Sequence, residues 1–168
     1  MTTSFLEYEL CDGFIHNWLV AGPLETPVTD LPDGSLGEPG QKLRIVRDAQ
    51  RAREQASVGS ELTGDPVDRG AAMVGDQQLR WSYVRCLDDH FVDLSTFRHE
   101  WTYLRAWAYT RLNLFDPAEV TFVLTTNGPA DVWINGEHVH RHEHFHHQDP
   151  QSVAFQVSLQ ADDNEILV

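Results

Sequence analysis

The second half of the chain consists of short runs in which apolar and polar residues alternate, separated by turn-forming residues. The clearest runs are residues 79–85, 101–114, 119–126 and 152–159. Alternation with a period of two puts one face of an extended strand in a core and the other in solvent. No helical pattern separates the late runs, which argues against a parallel α/β sheet. We therefore expect about eight or nine antiparallel strands.

A hairpin is the most specific local signal in the chain. Asn135-Gly136 lies between the β-rich runs 131–134 and 137–139, and both residues of such a two-residue turn need a positive φ, which Asn and Gly tolerate. Together with the other runs, the hairpin predicts an all-β fold, a β-sandwich or a barrel. Residues 14–21 predict an early strand ended by Gly22-Pro23. Residues 90–93 predict a short strand, and 165–168 the start of the last one.

Residues 25–77 form an insertion with a different character. Two stretches rich in Gly and Pro, 25–41 and 58–77, predict loops. Between them, residues 42–57 have apolar positions at helical spacing, several alanines and no Gly or Pro, which predicts one inserted helix. This helix carries five of the twelve basic residues. Its basic face is either solvated on an acidic sandwich or a surface for an anion or a partner.

Composition limits the size and the partners of the protein. A chain of 168 residues with 41% hydrophobic residues can fill one sizeable core, so we expect one domain over residues 1–168. The net charge of −14 repels nucleic acid and anionic membranes. No signal peptide or long apolar run is present, which predicts a cytoplasmic protein. Because residues 164–168 look like the opening of a strand, we expect the natural protein to continue.

Five segments spread along the chain form a set: Trp18-Leu-Val-Ala-Gly-Pro23, Trp81 with residues 91–94, Ala108-Tyr109, Asp131-Val-Trp-Ile-Asn-Gly-Glu137 and residues 159–168. Together they resemble the galactose-binding-like N-terminal sandwiches of bacterial carbohydrate-active and hydrolase-type proteins. The resemblance implies a jelly-roll β-sandwich fold and an accessory position in a longer protein, and no matching segment is a catalytic signature. One departure is the absence of the Gly expected near Asp162 or Asp163.

Residues 138–147 hold six of the nine histidines. On a regular strand, histidines at every second position from 138 to 146 would share one face, about 7 Å apart. Neutral imidazoles at this spacing can chelate zinc or nickel, and the candidate ligands are His140, His142 and His144. The alternative is a solvated His-rich extension of the hairpin. His142 and His146 also fit an H-E-x-x-H pattern, but that motif requires a helix, which this position after a hairpin disfavours.

These observations favour a non-catalytic binding or interdomain module, related to carbohydrate, within a larger hydrolase-like protein. Its candidate ligand-binding residues are Trp133, Asn135 and Glu137, although an aromatic residue on a strand is more often a packing residue, and Trp133 would then pack across the hairpin. The expected partner is a carbohydrate or an adjoining catalytic domain, and no cofactor is required. One alternative is a metal-binding protein or metal-dependent enzyme that uses residues 138–147. The other is a purely structural domain that forms homo-oligomers.

Overall fold

All regular structure in the described part of the chain is β-strand. The computed structural model describes residues 7–27, 61–94, 102–144, 146 and 149–168. The predicted helix over residues 42–57 lies outside these ranges. Within them there is no helix with the length and apolar character needed to cross a membrane. The ten strands are β1 (Asn17–Pro27), β2 (Leu62–Thr63), β3 (Ala71–Val74), β4 (Gln77–Arg85), β5 (Thr102–Leu114), β6 (Ala118–Thr126), β7 (Ala130–Ile134), β8 (Glu137–His142), β9 (Gln151–Leu159) and β10 (Asp162–Leu167).

The strands form two sheets, and every pairing between them is antiparallel. The larger sheet has eight strands in the order β2-β3-β4-β1-β5-β10-β7-β8, and the smaller one pairs β6 with β9. This arrangement confirms the predicted all-β class and is consistent with a β-sandwich. The described residues contain ten strands, where about eight or nine were predicted.

One hydrophobic core lies between the two sheets. We call the face of the eight-stranded sheet that borders this core, opposite β6 and β9, the inner face. On the small sheet, Phe122 of β6 lies opposite Phe155 of β9, with ring centroids 6.2 Å apart. Side chains that alternate along each strand fill the space between two packed sheets. This core comprises Ile134, Val157, Leu159 and Ile166, with Ile15, Trp18, Leu112, Leu114, Val120, Phe122, Val139, Phe155 and Val168 around them.

The opposite face of the eight-stranded sheet, here the outer face, has a second core. Strand alternation separates the two cores: Leu112 of β5 belongs to the first and Tyr109 to the second. Two small residues, Ala21 and Ala72, are fully buried and leave room for large rings beside them. This core comprises Ala21, Ala72, Val74, Trp81, Trp107 and Tyr109, with Leu19, Leu24, Leu62, Leu79 and Leu167 around them.

Strand β1 continues past Gly22-Pro23, so the prediction that these residues end it is wrong. The strand pairs with β4 on one side and with β5 on the other, and its register with β5 shifts between Ala21 and Leu24. Gly22 has a φ of +122°, and a Cβ at this position would lie 3.1 Å from the Cα of Ala106. An irregularity that only glycine fits therefore lies within the strand.

Two other local predictions also differ from the structure. The segment predicted as a loop over residues 58–77 contains β2 and β3, and a turn at Gly75-Asp76 connects β3 to β4. The short strand predicted at 90–93 is absent from the described residues 91–94, and His90 has a φ of +62°. The Asn135-Gly136 hairpin is confirmed, with φ values of +52° and +81°.

Candidate functional site

A bulge divides the histidine run between the two faces of the sheet. Val132 of β7 pairs with His140 of β8, while Trp133 pairs with His138, so Val139 is an extra residue. A bulge of this kind reverses the facing of the residues that follow it. His138 accordingly lies edge-on to Trp133, with ring centroids 5.4 Å apart. The prediction that the alternate histidines all share one face is therefore wrong.

On the outer face, an ionic cluster forms around Asp131. Its Oδ1 accepts hydrogen bonds from Arg141 Nε at 2.6 Å and from His138 Nε2 at 2.7 Å. A carboxylate can only accept, so His138 carries its proton on Nε2. The hydrogen bond to Asp131 raises the pKa of the Arg141 guanidinium. Because the Asp131 side chain is only 12% exposed, this cluster binds β7 to β8.

On the inner face, His140 is a packing residue. Its ring stacks on Phe155 of β9, with centroids 4.3 Å apart and planes 6° apart. Its Nε2 atom is buried and has no hydrogen-bond partner in the part of the chain that the structure describes. Stacking on Phe155 fixes the ring between the two sheets.

Three other histidines come together where β8 ends. The ring centroids of His142, His144 and His146 lie 6.0, 6.3 and 6.3 Å apart. Desolvation lowers the pKa of His142, and the positive charges of neighbouring histidines, His144 first, lower it further. Of the predicted ligands, the structure therefore brings His142 and His144 together, with His146 in place of His140.

The loop that carries these histidines is attached at both ends. His142 pairs with Ala130 in the sheet, and the backbone N–H of His146 donates to the carbonyl of Asn127 at 2.7 Å. In the described residues no three His, Cys, Asp or Glu side chains are close enough to hold a metal ion as they stand.

The three residues predicted to bind a ligand have different environments. Trp133 is only 9% exposed, so its ring has no free face for a sugar. The Asn135 amide donates to Asn164 Oδ1 at 3.1 Å, and its Oδ1 accepts from the Glu165 backbone N–H at 2.8 Å. These bonds attach the hairpin turn to β10. Glu137 is exposed at the end of the hairpin.

A surface that the sequence did not indicate lies where β1 begins and β4 ends. We call it the end cluster: Tyr8, Phe14, His16, Tyr83, Leu87 and His90. The rings of Phe14 and His90 stack with centroids 3.8 Å apart, and His16 Nε2 lies 2.6 Å from His90 Nδ1. Phe14 and Tyr83 are each 46% exposed, so the cluster presents aromatic surface to solvent.

Polar groups accompany these rings. The Tyr83 hydroxyl donates to Asn17 Oδ1 at 2.6 Å. The pKa of Tyr83 is raised, first by partial desolvation and then by a hydrogen bond with Tyr8. Nearby, burial and then the charge of Asp89 raise the pKa of the Cys86 thiol, so this cysteine is a poor nucleophile at neutral pH.

Comparisons with known protein families, with curated proteins and with solved structures gave no match for this chain.

Proposed function

We propose that this chain is a non-catalytic, carbohydrate-binding module of jelly-roll, galactose-binding-like type within a larger hydrolase-like protein. Two segments on which the resemblance rests, residues 131–137 and 159–168, meet in the fold. The Asn135 side chain donates a hydrogen bond to Asn164 and accepts one from the Glu165 backbone N–H, and β7 pairs with β10 beside these bonds. The matching residues thus have a structural reason to occur together, which supports the jelly-roll assignment.

The end cluster is the observation that carries the binding function. Aromatic rings that stay exposed at one end of a sheet often mark a contact surface, and ring faces beside hydrogen-bonding groups fit the mixed apolar and polar faces of a sugar. Tyr83 and Phe14 supply the rings, while Asn17 and His16 supply polar atoms beside them. The net charge of −14 disfavours acidic glycans, so the proposed ligand is a neutral glycan.

A glycan array followed by calorimetry on its best neutral glycan tests this function. We expect Phe14→Ala and Tyr83→Ala to weaken binding by tenfold or more, because each removes a stacking face. Tyr83→Phe keeps the ring and should lose much less affinity. Phe115→Ala is the matched control, since Phe115 is fully exposed in the turn between β5 and β6.

Two results would contradict the proposal. One is an array on which no neutral glycan binds, which would leave an interdomain or structural role for the end cluster. The other is a bound glycan whose affinity is the same in Phe14→Ala, Tyr83→Ala and Phe115→Ala, because the ligand would then lie elsewhere on the molecule.

A further inference from the structure

The three histidines at the end of β8 are arranged almost as an equilateral triangle. Their centroid separations of 6.0, 6.3 and 6.3 Å would put a central ion about 3.6 Å from each ring centroid, whereas an imidazole bound through a 2.0–2.1 Å metal–nitrogen bond needs about 3.2 Å. With one nitrogen of each ring turned toward the centre, the rings would be too far apart by about 0.4 Å each for a planar arrangement, and slightly more for a tetrahedral one.

A shift of this size is within the rotamer freedom of side chains at a surface. His144 is exposed, while His142 and His146 are partly buried. The Nε2 atom of His142 is buried without a hydrogen-bond partner among the described residues. A buried polar nitrogen with no partner is costly, and an ion bound there would remove that cost.

The backbone anchors two of the three positions, those of His142 and His146. His142 lies in the ladder opposite Ala130, and His146 is bonded to Asn127 in the turn that leads into β7. Both anchors lie on the segment 127–130, and the three ring centroids are already within 6.3 Å of one another. The site therefore needs no large ordering of the loop, and such ordering is the main cost of building a site from flexible chain.

We propose that His142, His144 and His146 form a binding site for a divalent transition-metal ion, zinc or nickel, at the end of β8. His140 is not a ligand of this site, because its ring is stacked on Phe155 between the sheets. His138 is not one either, because the bulge at Val139 puts it on the outer face beside Asp131. Three imidazoles leave a fourth position for water, so the site resembles an open metal centre in its ligand count.

Titration calorimetry with zinc and with nickel, on protein without a histidine tag, tests the site directly. We expect 1:1 binding with a dissociation constant on the order of 10 μM or tighter. His144→Ala, at an exposed position, should weaken binding at least tenfold. His140→Phe preserves an aromatic ring against Phe155 and should leave the affinity unchanged, and His16→Ala should do the same. Thermal melting of each variant checks that it is folded.

Nickel provides a second readout that does not depend on affinity alone. Bound nickel is paramagnetic, so the backbone amide signals of His142, His144 and His146 should broaden before that of His138 on the opposite face. The proposal is overturned if the intact chain binds neither ion in a 1:1 ratio. It is also overturned if His140→Phe or His16→Ala weakens binding as much as His144→Ala does. Neither result bears on the glycan experiment, which probes the other surface.

Discussion

Replacing Asn164 with Ala should destabilise the protein more than most single substitutions. The Asn164 side chain is completely buried. Its Oδ1 accepts from Gln160 N at 2.9 Å and from Asn135 Nδ2 at 3.1 Å, and its Nδ2 donates to Gln160 O at 2.9 Å and to Asp162 O at 3.2 Å. At about 1 kcal/mol of net stability for each bond, the loss is about 4 kcal/mol.

That loss is a large share of the roughly 5–15 kcal/mol by which a domain is stable. For a chain of this length it corresponds to a fall in Tm of roughly 12 °C. Urea unfolding followed by tryptophan fluorescence measures it, since Trp81 and Trp107 are buried in the outer-face core.

Asn113→Ala is the matched control for this substitution. Asn113 also lies in the β5–β10 ladder, but its side chain is exposed and donates to Asp163 Oδ1 at 3.1 Å at the surface. Its loss should cost about 0.5 kcal/mol or less. If Asn164→Ala lowers the free energy of unfolding by no more than Asn113→Ala does, the hydrogen bonds of Asn164 do not hold the hairpin turn to β10 and the reasoning fails.

Three further substitutions test other parts of the fold. Gly22→Ala should cost about 2 kcal/mol or more, against about 1 kcal/mol for Gly75→Ala, because a Cβ at position 22 would meet the backbone of β5 and one at position 75 would meet open space; equal unfolding midpoints would contradict this. Asp131→Ala should cost about 2 kcal/mol, because it leaves the partly buried Arg141 without its carboxylate; an unchanged melting temperature would show that the ionic cluster is dispensable. Burial raises the pKa of Tyr109 from 10.0 to about 12. The contribution of the protonated Tyr109 hydroxyl to stability is therefore complete below pH 10 and is lost as the pH rises through about 12. Phenolate absorbance should show one tyrosine ionising near 12, absent in Tyr109→Phe; a wild-type curve without that step would refute the assignment.

The strands that could be predicted are those whose local pattern and tertiary environment agree. Strands β5, β6 and β9 each alternate over nine residues or more, and the Asn135-Gly136 turn specifies its own hairpin. Gly22-Pro23 failed as a stop signal because β1 resumes its pairing with β5 beyond them, from Leu24 to Pro27. Pairing with a neighbouring strand outweighs a local turn preference, and a single sequence contains no information about that neighbour.

The end cluster could not be predicted from spacing for a related reason. His16 and His90 are 74 positions apart, and each is an isolated histidine in its own segment. They meet because Asn17 of β1 pairs with Arg85 of β4, which brings the residues just before one strand beside those just after the other. Only the register of the sheet, which no local pattern specifies, reveals this proximity.

The bulge at Val139 explains why the histidines do not share one face although they recur at every second position. In a regular strand, His138 and Arg141 are three residues apart and would face opposite sides, yet both bond to Asp131. One extra residue between them is the simplest way to put both on the outer face. The same insertion directs Val139 into the inner core and His140 onto Phe155. Three separate contacts therefore require the bulge. As a result, His142 groups with the histidines beyond the strand, and His138 does not.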